Sequence, residues 1–178
     1  MMKIGWSTRD FTPNRPALLM GQMHLRVARD AMDPLTRTAL AVDGGAPGHR
    51  AIVISLDLAG VAPEVQAAVR RPLRRLLPVV PSNAIILCAT HTHDSLVTDD
   101  ESYSHPGGDV MTADECVRRI TDKAVEAACE AWQSRRPAAV QNAFGHAVVG
   151  HNRRTRYADG HTAMYGGTNT PDFRMIEG

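Results

Sequence analysis

The segment Arg50-Ala51-Ile52-Val53-Ile54-Ser55-Leu56-Asp57-Leu58 decides the fold class of this chain. Its continuous aliphatic run is typical of a strand that is covered on both faces. The preceding segment, 35–43, also has strand character, and Asp43-Gly44-Gly45 between the two is a strong turn signal. The two segments therefore predict a β-hairpin.

Further strands and helices are predicted on either side of this hairpin. Residues 3–10 predict a strand, and residues 64–71 predict a helix that Pro72 should kink or end. Residues 83–89 predict another buried strand. A helix should begin at Thr112, because Thr112-Ala113-Asp114-Glu115 matches a capping box ahead of an apolar stripe.

The last forty residues contain a strand and a hairpin in this interpretation. Residues 138–150 predict the strand, and residues 156–165 predict the hairpin around Ala158-Asp159-Gly160. The tail after residue 165 shows no closing element. Hairpins mixed with strand–helix–strand units indicate an α/β fold of mixed β-sheets with covering helices, as a single domain over residues 1–178.

Composition limits the partners and the compartment. With 20 basic and 19 acidic residues in 178, the net charge of +1 gives no reason to expect nucleic-acid binding. The three cysteines form no CxxC pair, so we expect buried thiols. The N-terminus has no apolar stretch of signal-peptide length, and no apolar segment in the sequence is long enough to span a bilayer. A cytoplasmic location is expected for a natural start at Met1, and secretion for a removed leader.

The leading candidate for chemistry is His91-Thr92-His93, directly after the predicted strand 83–89. Side chains at i and i+2 share one face of an extended chain, so both imidazoles can enter one cavity. Imidazole is the commonest zinc ligand, and a bound zinc ion can activate water. A His-x-His triplet alone is weak evidence, and its position at a strand end makes a metal role as plausible as a structural one.

Two other polar residues have both a structural and a functional interpretation. Arg153 is either part of an exposed strand end or a site residue whose planar fork binds an anionic or carbonyl oxygen. Asp57 is either a turn aspartate or the acceptor that orients a ligand histidine. Ser55 and Ser95 have no Gly-x-Ser-x-Gly context, and a thiol enzyme built on Cys88 is a minor alternative.

Several segments resemble the neutral/alkaline (non-lysosomal) ceramidases, in collinear order and over nearly the whole chain. Ala89-Thr90-His91-Thr92-His93 resembles the Ala-Thr-His-Thr-His-Ser-Gly-Pro signature of that family. Residues 33–43, 52–60 and 152–154 resemble other family segments, as do parts of 165–178. After His93 the chain has Asp94-Ser95-Leu96 instead of Ser-Gly-Pro, which places a carboxylate next to the histidines.

The resemblance implies a zinc-dependent hydrolase that cleaves an amide bond in N-acylsphingosine or another small or lipid-like N-acyl substrate. By it, His91 is a zinc ligand, His93 contacts the substrate or the reacting water, and Arg153 is an active-site arginine. The family's other ligands (a His, a Glu and a Tyr) lie beyond this segment, so the chain is expected to be an N-terminal portion of a larger layered hydrolase domain. His24, His146 and Glu177 are candidate replacements for these distal ligands, but no sequence motif supports them.

The alternative from another class is a non-catalytic binding or assembly module that retains the fold with an incomplete metal site. It follows from the absence of the distal ligands. An oligomer in which a second protomer supplies groups is also compatible with the sequence.

Overall fold

The structure is a computed structural model that describes residues 1–177, and five strands precede its first α-helix. The two α-helices are α1 (Pro63–Leu76) and α2 (Ala113–Gln133), and a 3-10 helix spans Ser82–Ala84. The strands are β1 (Lys3–Asp10), β2 (Ala17–Met20), β3 (Val27–Ala28), β4 (Thr36–Asp43), β5 (Arg50–Leu56), β6 (Ile85–Ala89), β7 (Ser95–Leu96), β8 (Arg136–Pro137), β9 (Arg154–Tyr157), β10 (Thr162–Met164) and β11 (Phe173–Ile176). The predicted α/β fold with mixed sheets and covering helices is confirmed.

The chain divides into two compact units, Met1–Ala139 and Val140–Gly178. The first is built on a five-stranded sheet in the order β6-β5-β4-β1-β8. β4 and β5 form the predicted antiparallel hairpin, with Asp43 opposite Arg50, while β6 runs parallel to β5. A small second sheet pairs β2 with β3 and β7.

Both α-helices of the first unit pack on one face of the main sheet. Thr112 and Glu115 form the predicted capping box at the start of α2, since each side chain accepts a hydrogen bond from the other's backbone N–H. A Cβ atom added at Gly5 would lie 2.2 Å from the Ala131 carbonyl oxygen, so glycine lets α2 approach β1. The core between sheet and helices is aliphatic and includes Ile52, Ile54, Leu56, Val65, Val69, Leu73, Ile85, Ile120 and Ala124.

Three local expectations are wrong, and of the two outcomes expected at Pro72, a kink or an end of the helix, the end is excluded. α1 does not end at Pro72 but continues to Leu76, because Val69 and Leu73 anchor it to the core on both sides of the proline. Residues 138–150 form no strand. The tail does close, since β11 pairs with β9. Cys88 is exposed rather than buried, because alternate side chains of β6 lie on the face of the main sheet that neither helix covers.

The second unit is a three-stranded antiparallel sheet in the order β10-β9-β11. β9 and β10 form the hairpin predicted around Asp159. The central strand β9 buries Thr155 and Tyr157, whose hydroxyls donate hydrogen bonds to the carbonyl oxygens of Gly166 at 3.1 Å and Gly167 at 3.0 Å. Across residues 1–177, neither α-helix has the length and apolar character needed to cross a bilayer.

Candidate metal centre

The two candidate histidines lie in a turn that follows the edge strand β6. Beyond Ala89 the backbone stays attached to the end of β5, because Thr90 N–H donates to Leu56 O at 2.9 Å and His91 N–H donates to Leu58 O at 3.0 Å. His91 itself has a left-handed φ of 65°, which is uncommon for a non-glycine residue. The side chain of His91 is therefore directed by a turn rather than by an extended strand.

The imidazole rings of His91 and His93 converge through their Nε2 atoms. His91 Nδ1 lies 2.5 Å from the carbonyl oxygen of Ala59, and a carbonyl can only accept, so Nδ1 carries the hydrogen. In the neutral ring this leaves a lone pair on Nε2. The Nε2 atom of His93 lies 3.4 Å from that of His91, with the two rings nearly perpendicular at 84°.

This arrangement fits the donor requirements of a zinc ion. The Nε2 lone pair of His91 is free to bind a zinc ion, and the Nε2 atom of His93 lies 3.4 Å from it, within reach of a group held at that ion. A histidine that binds metal through one nitrogen commonly donates from the other to a backbone carbonyl, as His91 does to Ala59. Within residues 1–177, however, no group of three or more His, Cys, Asp or Glu side chains could hold a metal ion.

His93 is held in place by Gly21 and Arg26, which sequence reasoning missed. A Cβ atom at Gly21 would lie 2.6 Å from Cγ of His93, and the φ of Gly21 is +102°, so only glycine fits beside this ring. Arg26 donates one hydrogen bond to the carbonyl oxygen of His93 and another to Asp94 Oδ1 at 2.7 Å. Asp94 is thus paired with an arginine.

Asp57 joins three segments of the first unit beside the histidine turn. Its Oδ2 accepts from the backbone N–H and the hydroxyl of Thr36, both at 2.8 Å, and its Oδ1 accepts from the hydroxyl of Thr90 at 3.1 Å. Neither histidine ring donates to it. Of the two interpretations of Asp57, the geometry favours the structural one, in which its carboxylate connects Thr36 at the start of β4 with Thr90 after β6.

A cleft of about 610 Å³ lies next to the histidine segment. Thr92 and Asp94, the residues that alternate with the histidines, contribute to its wall, but neither imidazole does. The remaining walls mix apolar and charged side chains, including Leu19, Met32, Leu35, Arg29 and Asp33. We place the candidate metal centre at the imidazole pair, because the convergent nitrogens are there and not in the cleft.

Arg153 lies in the second compact unit, while His91 and His93 lie in the first. Its guanidinium carbon is 4.6 Å from the centre of the Tyr165 ring, and Tyr165 N–H donates to the carbonyl oxygen of Arg153 at 3.0 Å. Arg153 is exposed and immediately precedes β9. Of the proposed substitute ligands, Glu177 is paired with Arg154 at 2.5 Å, and His24 and His146 are exposed.

The fold and this geometry can be set beside known proteins. No family model matches the chain, and no curated protein matches its sequence. A solved structure of a ceramidase complexed with C2 is 22% identical with a TM-score of 0.60, and the match covers 76% of this chain and 22% of that one. The neutral ceramidase from Pseudomonas aeruginosa is 19% identical with a TM-score of 0.61, covering 89% of this chain and 25% of that one.

The chain has a neutral ceramidase fold. The resemblance expected from the ordered motifs is thereby confirmed at the level of the fold. The chain spans about a quarter of the length of the ceramidase structures that it matches.

Proposed function

We propose that this chain is the N-terminal segment of a zinc-dependent hydrolase that cleaves the amide bond of an N-acyl substrate such as an N-acylsphingosine. The observation that carries the proposal is the convergence of two imidazole Nε2 atoms, 3.4 Å apart, at the edge of a ceramidase fold. The tautomer of His91 is set by the carbonyl of Ala59, so its Nε2 is available as a donor to a metal ion.

His91 would hold the zinc ion in this hydrolase. A bound zinc ion would polarise the substrate carbonyl and activate water. The Ala59 carbonyl contributes by keeping the His91 ring oriented and by raising its basicity through the Nδ1 hydrogen bond.

His93 would exchange a proton with the reacting groups. A neutral imidazole has one donor and one acceptor nitrogen, so it can take a proton from water and return it to the leaving amine. The Nε2 atom of His93 faces the same point as that of His91, and Gly21 and Arg26 restrict the movement of its ring and backbone.

Arg153 would bind a substrate oxygen or stabilise the negative charge that develops during cleavage. Its guanidinium is planar and permanently charged, and stacking on Tyr165 limits its orientations. Lysine keeps the positive charge but lacks the planar fork, so Arg153→Lys should recover only part of the activity that Arg153→Ala loses.

The remaining metal ligands would come from another part of a longer polypeptide. A catalytic zinc usually takes three protein ligands, and residues 1–177 bring no third His, Cys, Asp or Glu to the histidine pair. The same observation favours the second candidate function, a binding or assembly module that retains the fold without metal chemistry. Metal content and hydrolysis separate the two candidates.

The test uses protein expressed from its complete natural reading frame and a series of N-acyl amines that includes an N-acylsphingosine. We expect hydrolysis that a zinc chelator abolishes and added zinc restores. His93→Gln should lower kcat by about 10²-fold or more while zinc stays bound, because it removes the proton exchange and leaves His91 intact. His49→Gln, in an exposed turn, is the matched control and should change nothing.

Two outcomes would contradict the proposal. Zinc-free protein with no hydrolysis of any substrate in the series would favour the assembly module. Hydrolysis that survives both chelation and His93→Gln would exclude the imidazole pair as its site.

A further inference from the structure

The outer surface of α1 carries a dense group of arginines. The helix turns Val65, Val69 and Leu73 toward the core, and its last two turns carry four arginines on the remaining surface. We call them the arginine cluster: Arg70, Arg71, Arg74 and Arg75. The whole chain has a net charge of only +1, so this surface concentrates positive charge.

The charges of the arginine cluster are not balanced by carboxylates. Elsewhere in the first unit arginines are paired, as Arg26 is with Asp94 at 2.7 Å. In the part of the chain that the structure describes, no Asp or Glu side chain forms an ion pair with the cluster. Its members also form two pairs at the i,i+4 spacing, where like charges repel on a helix. An anion bound to the cluster would relieve that repulsion.

Two members of the cluster are held in fixed positions by the protein. Arg70 donates from Nε to the carbonyl oxygen of Ile85 at 3.1 Å and from Nη1 to Oε1 of Gln66 at 3.0 Å. Arg74 donates from Nε to the hydroxyl oxygen of Ser82 at 3.0 Å. Among the described residues, Nη2 of Arg70 and both terminal nitrogens of Arg74 have no hydrogen-bond partner. Anchored guanidinium groups with free terminal nitrogens lose little conformational freedom when they bind an anion.

A groove of about 550 Å³ runs over three of these arginines, a volume in the range of small-molecule sites. Its walls are formed by Pro63, Gln66, Ala67, Arg70, Arg71 and Arg74. Every charged side chain in these walls is therefore positive. The groove beside α2 differs, because Glu115 and Asp122 accompany its basic residues. The groove on α1 thus has room for a small anionic group and no carboxylate in its walls to repel it.

A phosphate group is the anion that this set of donors suits best. A guanidinium group has a planar fork of N–H donors that binds phosphate oxygens in pairs. A phosphate monoester has three acceptor oxygens and a charge of about −1.5 to −2 at pH 7. Three guanidinium groups around one groove can satisfy all three oxygens, whereas a carboxylate offers only two oxygens and a single charge.

We propose that Arg70, Arg71 and Arg74 form a binding site for a phosphate monoester, carried either by a free small molecule or by the headgroup of a phospholipid. Arg70 and Arg74 provide the anchored donors, and the exposed Arg71 closes on the bound group. This site goes beyond the zinc chemistry proposed above and does not depend on it, because phosphate binding is measured without hydrolysis.

The experiment measures binding to protein expressed from the complete natural reading frame, in two arms. Isothermal titration calorimetry with glycerol phosphate, at an ionic strength held constant with sodium chloride, tests a free monoester. Co-sedimentation with phosphatidylcholine vesicles, with and without phosphatidate, tests the headgroup. We expect a Kd of about 1 mM or lower for glycerol phosphate, which assigns the site to a free ligand, or co-sedimentation only with phosphatidate, which assigns it to a headgroup. Absence of binding in both arms would overturn the proposal.

A double variant and a matched control locate the bound group. Arg71→Gln with Arg74→Gln should weaken binding about tenfold or more, because it removes two of the three guanidinium groups. Arg118→Gln with Arg174→Gln removes the same charge from exposed positions elsewhere and should leave binding unchanged. Equal weakening by the two double variants would overturn the proposal, since binding would then follow the net charge of the protein and not this groove.

Arg71→Gln alone keeps the test decisive if the double variant is unstable. The Arg71 side chain donates no hydrogen bond to any described residue, so its replacement should leave the thermal unfolding of the unliganded protein unchanged. Its binding of glycerol phosphate or of phosphatidate vesicles, whichever the wild type binds, should be weaker by about threefold or more. Binding as tight as that of the wild type would overturn the proposed site.

Discussion

The helix-covered face of the main sheet and the turn after β6 are stabilised by different interactions. On the covered face, Ile52, Ile54 and Leu56 are fully buried, and their packing against the helices holds the unit together. In the turn, His91 and His93 are exposed. The His91 ring donates to the carbonyl oxygen of Ala59, while Arg26 donates to the carbonyl oxygen of His93 and Gly21 packs against the His93 ring.

From this contrast we expect that the free energy of unfolding and the metal chemistry can be altered separately in this protein. Substitutions on the covered face should lower the free energy of unfolding. Substitutions of the histidines should change metal binding and catalysis with little effect on folding. Each prediction below tests that separation, beginning with the largest expected effect on stability.

Ile54→Ala should lower the free energy of unfolding by about 2–5 kcal/mol, because it leaves a cavity between β5 and the helices. Urea denaturation of the 178-residue chain measures the loss. His93→Gln is the control and should shift the free energy by less than about 0.5 kcal/mol. Equal losses of unfolding free energy in the two variants would contradict the expectation that stability and metal chemistry are separable.

Asp57→Ala should affect both regions, because Asp57 connects the start of β4 with Thr90. The part-buried N–H of Thr36 loses its acceptor, which costs about 1–3 kcal/mol. Zinc affinity in the full protein should fall as well, since Thr90 precedes His91. Asp100→Ala, at an exposed loop aspartate, should leave both quantities unchanged. A stable Asp57→Ala protein with unchanged zinc affinity would show that this connection is unimportant.

Thr112→Ala should cost about 1 kcal/mol, because the backbone N–H of Glu115 loses its acceptor at the start of α2. Thr112→Ser keeps the hydroxyl and should recover most of the loss in thermal denaturation. Zinc binding should be the same in both variants. A change in metal affinity would mean that α2 and the histidine turn are coupled.

The smallest effect should appear in the dependence of stability on pH. The backbone N–H of Gly45 donates to the Asp43 carboxylate and is the main cause that holds its pKa below the ordinary value, with Arg50 adding to the effect. A depressed folded-state pKa stabilises the fold above about pH 4, and this contribution is lost as the pH falls through the folded pKa. Asp43→Asn should therefore flatten the acid limb of the stability curve. An unchanged acid limb would exclude the contribution.

Sequence signals that act locally predicted the structure well. The aliphatic run in β5 with its Asp43-Gly44-Gly45 turn predicted the hairpin, and Thr112 with Glu115 predicted the start of α2. Both signals depend on residues only a few positions apart, so a single sequence contains them in full.

Signals that depend on distant partners were misleading. Cys88 belongs to an apolar segment, but it lies on the face of the main sheet that neither helix covers. Residues 138–150 have strand-forming side chains, yet strand formation requires a neighbouring edge. The Ala59 carbonyl that orients His91 is a backbone group, so the residue types in the sequence do not predict this contact.

The convergence of the two imidazoles was expected for a reason that the structure corrects. The shared-face prediction requires both histidines to lie in an extended strand, but β6 ends at Ala89 and His91 adopts a left-handed conformation. The rings still meet, because the turn and Gly21 bring them together. Their roles with zinc, and that of Arg153, stay predictions.

The zinc content of His91→Ala tests the central claim most directly. Protein from the complete natural reading frame is purified without chelators, and its metal is measured by mass spectrometry beside the wild type, His93→Gln and the control His49→Ala. The account predicts about one zinc per chain in the wild type and in the last two variants, and less than about a tenth of that in His91→Ala. Zinc that is unchanged in His91→Ala would contradict it.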